Sequence, residues 1–234
     1  MSLLTLVQDV CRRVSLARPN AVMSATDEQT QQLLGLANEE GQELAARYPW
    51  QALTREARFT TIAAESQGTI ASLTSSGFGW ILNETIWNRS QGRPIFGPKT
   101  PANWQLLKAS FMNGPWIQYR IRGNQLLFLP QPAAGQDCYF EWQSKYWVQG
   151  ASGDAAQYGS DADLTHLDER LLTLGVIWRW KAAKGLGYAE DFNKYERAIA
   201  DAMTRDATKP RLSLDGYSTD LFPAVVVPAG NWTV

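Results

Sequence analysis

Apolar residues recur at Leu3, Val7, Val10 and Val14, in steps of four, three and four that place them on one face of a helix. Pro19-Asn20 breaks the pattern. The run Thr26-Asp27-Glu28-Gln29 has the spacing of a capping box, in which the Thr oxygen and the Gln side chain satisfy free N–H groups at a helix start. A second helix then carries Leu33, Ala37 and Leu44 as far as Tyr48, where Pro49 stops it. Each helix shows a single apolar stripe, so each has to pack on another element.

From Trp50 the period changes. Arg55 to Ile62 alternates, with Ala57, Phe59 and Thr61 on one side, and reads as a strand. Thr69 to Gly79 is rich in Ser, Thr and Gly and reads as a turn region before a strand at Trp80-Ile-Leu-Asn83. Asn88 to Pro101, punctuated by Gly92, Pro94, Gly97, Pro98 and Pro101, reads as a long shaped loop. A short helix with Trp104, Leu107 and Phe111 at helical steps follows. The clearest local signal is Trp116 to Arg122, then Gly123-Asn124, then Gln125 to Leu129. The Gly-Asn pair can take the positive φ that a tight β-hairpin demands. Cys138 to Val148 alternates again, with Cys138, Phe140 and Trp142 on one side.

Gly150 to Asp163 is small, polar and acidic and reads as an exposed loop or linker. Helical spacing returns with Leu164, Leu167, Leu171, Leu174 and Trp178. Gly185-Leu-Gly187 then stops that helix, and the next carries Phe192, Tyr195, Ile199 and Met203. The expectation is an α+β fold in which residues 1–49 supply two helices of a four-helix bundle. Residues 50–150 would form an inserted β-rich module, 151–207 a linker and the closing helical hairpin, and 208–234 an extended tail. That tail has apolar residues without helical period, which points to docking on another chain or back on its own domain.

Composition narrows the function. With Lys+Arg 22 against Asp+Glu 23, bulk charge recruits neither DNA nor an anionic membrane. Near-zero charge also leaves self-association unopposed. The first residues lack the basic region of a signal peptide, and no stretch nears the roughly 18–20 apolar residues that span a bilayer. Ten Trp residues supply large contact areas to cores or interfaces. Two distant cysteines, Cys11 and Cys138, form no ligand cluster and read as buried thiols.

Chemistry is sparse. The single histidine, His166, precedes Asp168-Glu169 and reads as an exposed residue in a helix's first turn. A zinc site would need three or four convergent ligands, Gly185-Leu-Gly187 lacks the context of a dinucleotide site, and no Walker A run exists, so no cofactor or metal is expected. The acid pairs Glu39-Glu40, Asp168-Glu169 and Glu190-Asp191 read as solvated helix faces, although paired carboxylates can serve acid–base chemistry. Trp80, Trp87, Trp116 or Trp142 could stack on sugars, which keeps open a virion carbohydrate-binding module.

Three stretches carry a likeness to a known group: Tyr48-Pro-Trp50 through Phe59, Trp87 through Trp104 with Tyr119 through Pro130, and Asp168 through Phe192. In their order they resemble head-to-tail adaptor (connector) proteins of tailed phages, of the tail-tubular A-like type of short-tailed phages. The resemblance implies a structural, non-enzymatic virion protein at the head–tail junction, made and assembled in the host cytoplasm. It implies a homo-oligomeric ring, typically twelve-fold, beneath the portal and above the tail nozzle or tube, with DNA passing non-specifically through its centre. The tail residues Leu212, Leu214, Tyr217, Leu221, Phe222, Val225, Val226 and Val227 would then bind portal. Arg93, Pro94, Gly97 and Pro98, with the Gly123-Asn124 turn, would face the tail or a neighbour.

Overall fold

The computed structural model describes residues 1–110, 114 and 116–207. The chain opens with α1 (Leu3–Arg13), α2 (Glu28–Arg47) and a single 3-10 turn (Gln51–Leu53). It continues through β1 (Thr54–Thr60), β2 (Ser66–Thr69), the one-turn α3 (Ile70–Leu73), β3 (Phe78–Ile81), β4 (Trp87–Asn88), β5 (Arg93–Pro94) and α4 (Pro101–Ala109). Next come β6 (Gln118–Arg122), β7 (Gln125–Leu129), β8 (Asp137–Ser144), β9 (Val148–Gly150), β10 (Gly153–Ala155) and β11 (Leu164–Thr165). Helices α5 (Glu169–Ala183) and α6 (Ala189–Asp206) close the described chain. Helices and antiparallel sheets build it together, so the class is α+β.

Two separate cores hold these elements. In the first, α5 packs against α6, α2 and α1, and is buried on most of its circumference from Leu171 to Ile177. The expected stripe of α1 is there: Leu3, Val7 and Val10 are buried, while Val14 ends the helix half-buried. Close approach explains one glycine of α2. A Cβ on Gly41 would stand 2.2 Å from the Trp147 ring, which packs against the helix at that point.

The helix starts differ from the sequence reading in instructive ways. Helix α2 is capped by Asp27, not Thr26: the Asp27 carboxylate accepts the Thr30 N–H at 2.9 Å. Hydrogen bonds from Thr30, side chain then backbone, hold that carboxyl below its usual range. A full negative charge at the positive end of the helix dipole favours Asp over Thr there. Helix α5 begins at Glu169, because Asp168 accepts the Arg170 N–H at 2.8 Å and sets the start. Leu164, expected inside that helix, sits in β11 and is exposed, and Leu167 still reaches the core.

The stretch expected as an exposed loop or linker is mostly exposed, but it carries short strands and buries Tyr158 and Asp163. Residues 148–165 form a small sheet in the order β10-β9-β11, and Tyr158 is buried edge-on against Trp147, with centroids 4.9 Å apart. Its acids collect backbone donors. Asp163 accepts from Gly159 at 2.7 Å and Ser160 at 2.8 Å, and Asp161 accepts from Met23 at 2.8 Å. The carbonyls of Asp163 and Asp161 also receive the free N–H groups of Leu3 and Leu4, which completes the start of α1. Asp161 and Asp163 thus cap backbone, whereas Asp154 on β10 stays exposed.

The second core lies between two sheets, β1-β8-β4-β5 with β3 also on β8, and β2-β7-β6. Ala57 pairs with Phe140 and Phe59 with Cys138, so the inward sides of β1 and β8 face one core, as their alternation requires. Phe128 of β7 meets Phe59 from the other sheet, centroids 6.0 Å apart. The β6–β7 hairpin forms as expected, with φ of 56° at Gly123 and 59° at Asn124. Residues 88–101 are more ordered than a loop. The two-residue strands β4 and β5 pair Trp87 with Pro94 and Asn88 with Arg93, and Pro94 stands at the end of its sheet where its missing N–H costs nothing. Helix α4 starts at Pro101, ahead of Trp104, because Thr100 caps it. Phe111 lies outside the described residues. Among those described, no helix is long and apolar enough to cross a membrane.

Candidate functional site

The segment holding Arg93, Pro94, Gly97 and Pro98 is stitched between two sheets. Ile95 donates to the Ile86 carbonyl at 2.9 Å on one side. On the other, Phe96 donates to Ile117 at 3.0 Å and accepts from Tyr119 at 2.8 Å. Gly97 has to be glycine, since a Cβ there would lie 2.5 Å from the Tyr119 carbonyl oxygen. Pro94 is buried, whereas Arg93 and Pro98 are exposed. The Arg93 guanidinium lies 5.7 Å from the centre of the Trp116 ring, and Phe96 meets that ring edge-on at 5.8 Å. Trp116 is 41% exposed, so the cluster presents an aromatic face with a fixed cation to solvent.

Gly123 and Asn124 are exposed at the other end of β6, and the Asn124 carbonyl accepts the Ile70 N–H at 2.7 Å. Four residue steps along β6 separate Gln118, beside Phe96, from Arg122, a distance of roughly 13 Å. The two expected contact regions are thus distinct places on one module. Leu212, Leu214, Tyr217, Leu221, Phe222 and Val225 to Val227 lie outside the described residues.

A third surface was missed in the sequence. On the outward side of β1, β8 and β4, Tyr139 carries Arg89 at 3.6 Å and Arg58 at 5.6 Å from its ring centre. Arg89 pairs with Glu56 and Arg58 with Asp137, and a cleft of about 310 Å3 opens among Glu84, Trp87, Arg89 and Tyr139. Arginine and large aromatics are the side chains enriched in protein interfaces. The alternation of β8 does place Tyr139 opposite the core side, but nothing local says that Arg58 of β1 and Arg89, just after β4, converge on it.

The expected stacking tryptophans divide. Trp142 is 1% exposed and belongs to the β core, which removes it as a sugar platform; Trp87 is half-buried, and Trp80 and Trp116 are exposed.

His166 is half-buried ahead of α5, not exposed in its first turn, and hydrogen-bonds Asp154 at 2.8 Å. Arg55 donates to the other oxygen of Asp154 at 3.2 Å. Partial burial works against the Asp154 charge, but the bonds from His166 and Arg55 outweigh it and hold the carboxyl below its usual range. The trio ties β10 to β1 and to the approach to α5. Both cysteines are buried thiols, and burial pushes Cys138 up to about 12, so neither supplies a thiolate near neutral pH. Among the described residues, no cluster of three or more His, Cys, Asp or Glu could hold a metal ion.

The acid pairs do not all lie on solvated faces. Glu40 is fully buried where α2, α5 and α6 meet. Its carboxylate accepts Arg179 Nε at 2.6 Å and the Tyr195 hydroxyl, while Arg179 also reaches Glu39 at 2.6 Å and Glu43. Gly175 makes room, because a Cβ there would stand 2.1 Å from the Glu40 carboxyl carbon. Asp168 caps α5, and Asp191 pairs with Lys181 at 2.5 Å. Burial is the largest influence on Glu40 and pushes its carboxyl up, against the bonds from Tyr195 and Arg179. Burial also lowers Arg179, but its hydrogen bonds to Glu40 and Glu43 more than reverse that, so the guanidinium keeps its charge.

A raised folded-state pKa means that the native protein holds the proton longer than the unfolded chain. Stability is therefore lost as pH rises from the usual glutamate range through the raised value. Glu40→Gln removes that slope. Urea unfolding across a pH series should show a flatter profile in the variant over that window, and parallel profiles would contradict the burial argument.

The family model described as SU10 adaptor protein matches residues 1–216. No curated protein matches the chain.

Proposed function

The chain belongs to the SU10 adaptor protein family, and from that premise we propose that it is the subunit of a ring between phage portal and tail. The family match across both cores carries this reading. It supports a structural adaptor role in a virion. The finer proposal is a twelve-fold ring at the head–tail junction, assembled in the host cytoplasm, with DNA passing through its centre. A net charge of −1 fits a channel that lets DNA slide, because strong basic contacts would hold it. Likeness to the tail-tubular A-like adaptors of short-tailed phages belongs to the same proposal.

Within it, residues 1–49 and 151–207 act as a four-helix bundle that builds the ring wall, and residues 50–150 face the tail or a neighbour. The Arg93–Trp116–Phe96 cluster is suited to such a contact, since a stacked Arg and a large aromatic give area with little ordering cost. Arg93 and Pro98 form one edge of that surface, with Pro94 and Gly97 supporting it from beneath, and Gly123 and Asn124 form the tip of the other. Residues 208–234 engage the portal through Leu212, Leu214, Tyr217, Leu221, Phe222, Val225, Val226 and Val227.

Trp116→Ala tests the module's part. Trp116 is exposed and outside both cores, so the variant keeps its fold. It is expected to lose at least about tenfold in affinity for the tail component or for the neighbouring subunit, the size of effect one hot-spot aromatic supplies. Unchanged assembly of portal, ring and tail components would remove this surface from the account. The exposed Trp80 and Trp116 also favour a second reading, a carbohydrate-binding module, which specific glycan binding by the full chain would support.

A further inference from the structure

A cleft of about 300 Å3 opens where α6 ends. Its floor is apolar, formed by the buried side chains of Leu44, Trp50, Leu171 and Ala202, and Asp168 and Asp206 stand on its rim. Asp206 is the last residue of α6, and its carboxylate accepts the Gln51 backbone N–H at 2.9 Å. That bond pins the helix end to the 3-10 turn bordering the cleft. The chain therefore leaves α6 at the lip of this cleft.

The residues that follow are Ala207-Thr-Lys-Pro-Arg-Leu212-Ser-Leu214. Leu212 is five residues beyond Ala207, a reach of up to about 17 Å in extended chain. Spacing by one residue puts Leu212 and Leu214 on one side of an extended segment. Lys209 and Arg211 bring two positive charges and no acid, towards a rim that holds two carboxylates against one guanidinium, Arg205.

We infer that this cleft is the docking site for the chain's own segment 209–214, with Leu212 and Leu214 on the apolar floor and Lys209 and Arg211 against the acidic rim. Tethering favours the chain's own segment over any partner in free solution, because a short linker gives an effective concentration in the millimolar range. The inference does not depend on the adaptor reading. If both hold, the two leucines leave the cleft when the portal takes the tail.

Two variants, each in the full chain, test it. Ala52 lines the cleft and is exposed, so Ala52→Glu puts a charge in the hollow without disturbing the core. Leu212→Glu/Leu214→Glu changes the segment and leaves the cleft intact. His166, the chain's single histidine, also lines the cleft, so its ring NMR signals report on occupancy without an assignment problem. The expected result is that the double variant shifts the His166 ring signals, and that Ala52→Glu speeds tryptic cleavage after Arg211 about tenfold by releasing the segment. Unchanged His166 signals in the double variant together with unchanged cleavage in Ala52→Glu would overturn the inference. Protection of Arg211 that vanishes on dilution would overturn it too, by assigning the segment to the cleft of a second copy.

Discussion

Replacing Arg179 with methionine should lower the folding free energy by about 3–5 kcal/mol, the usual cost of leaving a buried charge without its partner. Glu40 is fully buried, and Arg179 supplies the hydrogen bond at 2.6 Å and the cation in direct contact with it. Methionine fills similar space but donates nothing. The Tyr195 hydroxyl remains and cannot neutralise a carboxylate. The variant then keeps Glu40 protonated, or lets water into the junction of α2, α5 and α6. Either way the helical core loosens while the β core, whose residues form a separate cluster, keeps its packing. Urea unfolding of Arg179→Met, of Glu40→Gln and of the double variant provides the check. The double variant should lose less than the sum of the single losses, because the two side chains act as a unit. A loss below about 1 kcal/mol in Arg179→Met would mean that the network contributes little to holding the helices together.

Removing residues 211–234 should abolish portal binding and leave a folded protein. Among the described residues, every buried member of both cores lies before the cut, from Leu3 to Ala202, and that packing stays in the truncated chain. What it loses is a run of eight apolar side chains that the adaptor reading assigns to the portal. Binding measured against the cognate portal is expected to fall by at least about 100-fold, near 2.7 kcal/mol, while circular dichroism stays close to that of the full chain. Unchanged affinity in the truncated chain would show that the portal contact lies elsewhere.

How much of this could be read from the sequence depended on whether a feature was local. The stripe of α1 and the alternation of β1 and β8 each follow from one period acting within a few residues, and each is where the pattern put it. The Gly123-Asn124 hairpin is set by the positive φ of two adjacent residues. Features set by a distant partner were harder to see. Glu40 looks like one half of an exposed acid pair until Arg179, 139 residues away in the chain, is brought against it. Acids at 161 and 163 look like a solvated loop until the start of α1 and the backbone at Met23 arrive to use them. Tyr139 becomes a platform only because Arg58 of β1 and Arg89 of the turn after β4 approach it.

Helix starts show the same limit on a smaller scale. Thr26 and Asp27 are both able caps, and the path of the chain before α2, together with the charge of Asp27, decides between them. The pattern of leucines runs on through Leu164 and Leu167, but Asp168 captures the Arg170 N–H and starts α5 after them. The short strands β4 and β5 have no period to detect, being two residues each, and are held by pairing with each other and with β8.

Central to the account is a surface shared between copies on a portal ring. The mass of the particle formed when the full chain is mixed with its cognate portal measures this directly. Twelve chains added per portal ring, in one cooperative step, is the expected result. A portal whose mass does not change beside a chain that stays single would contradict it.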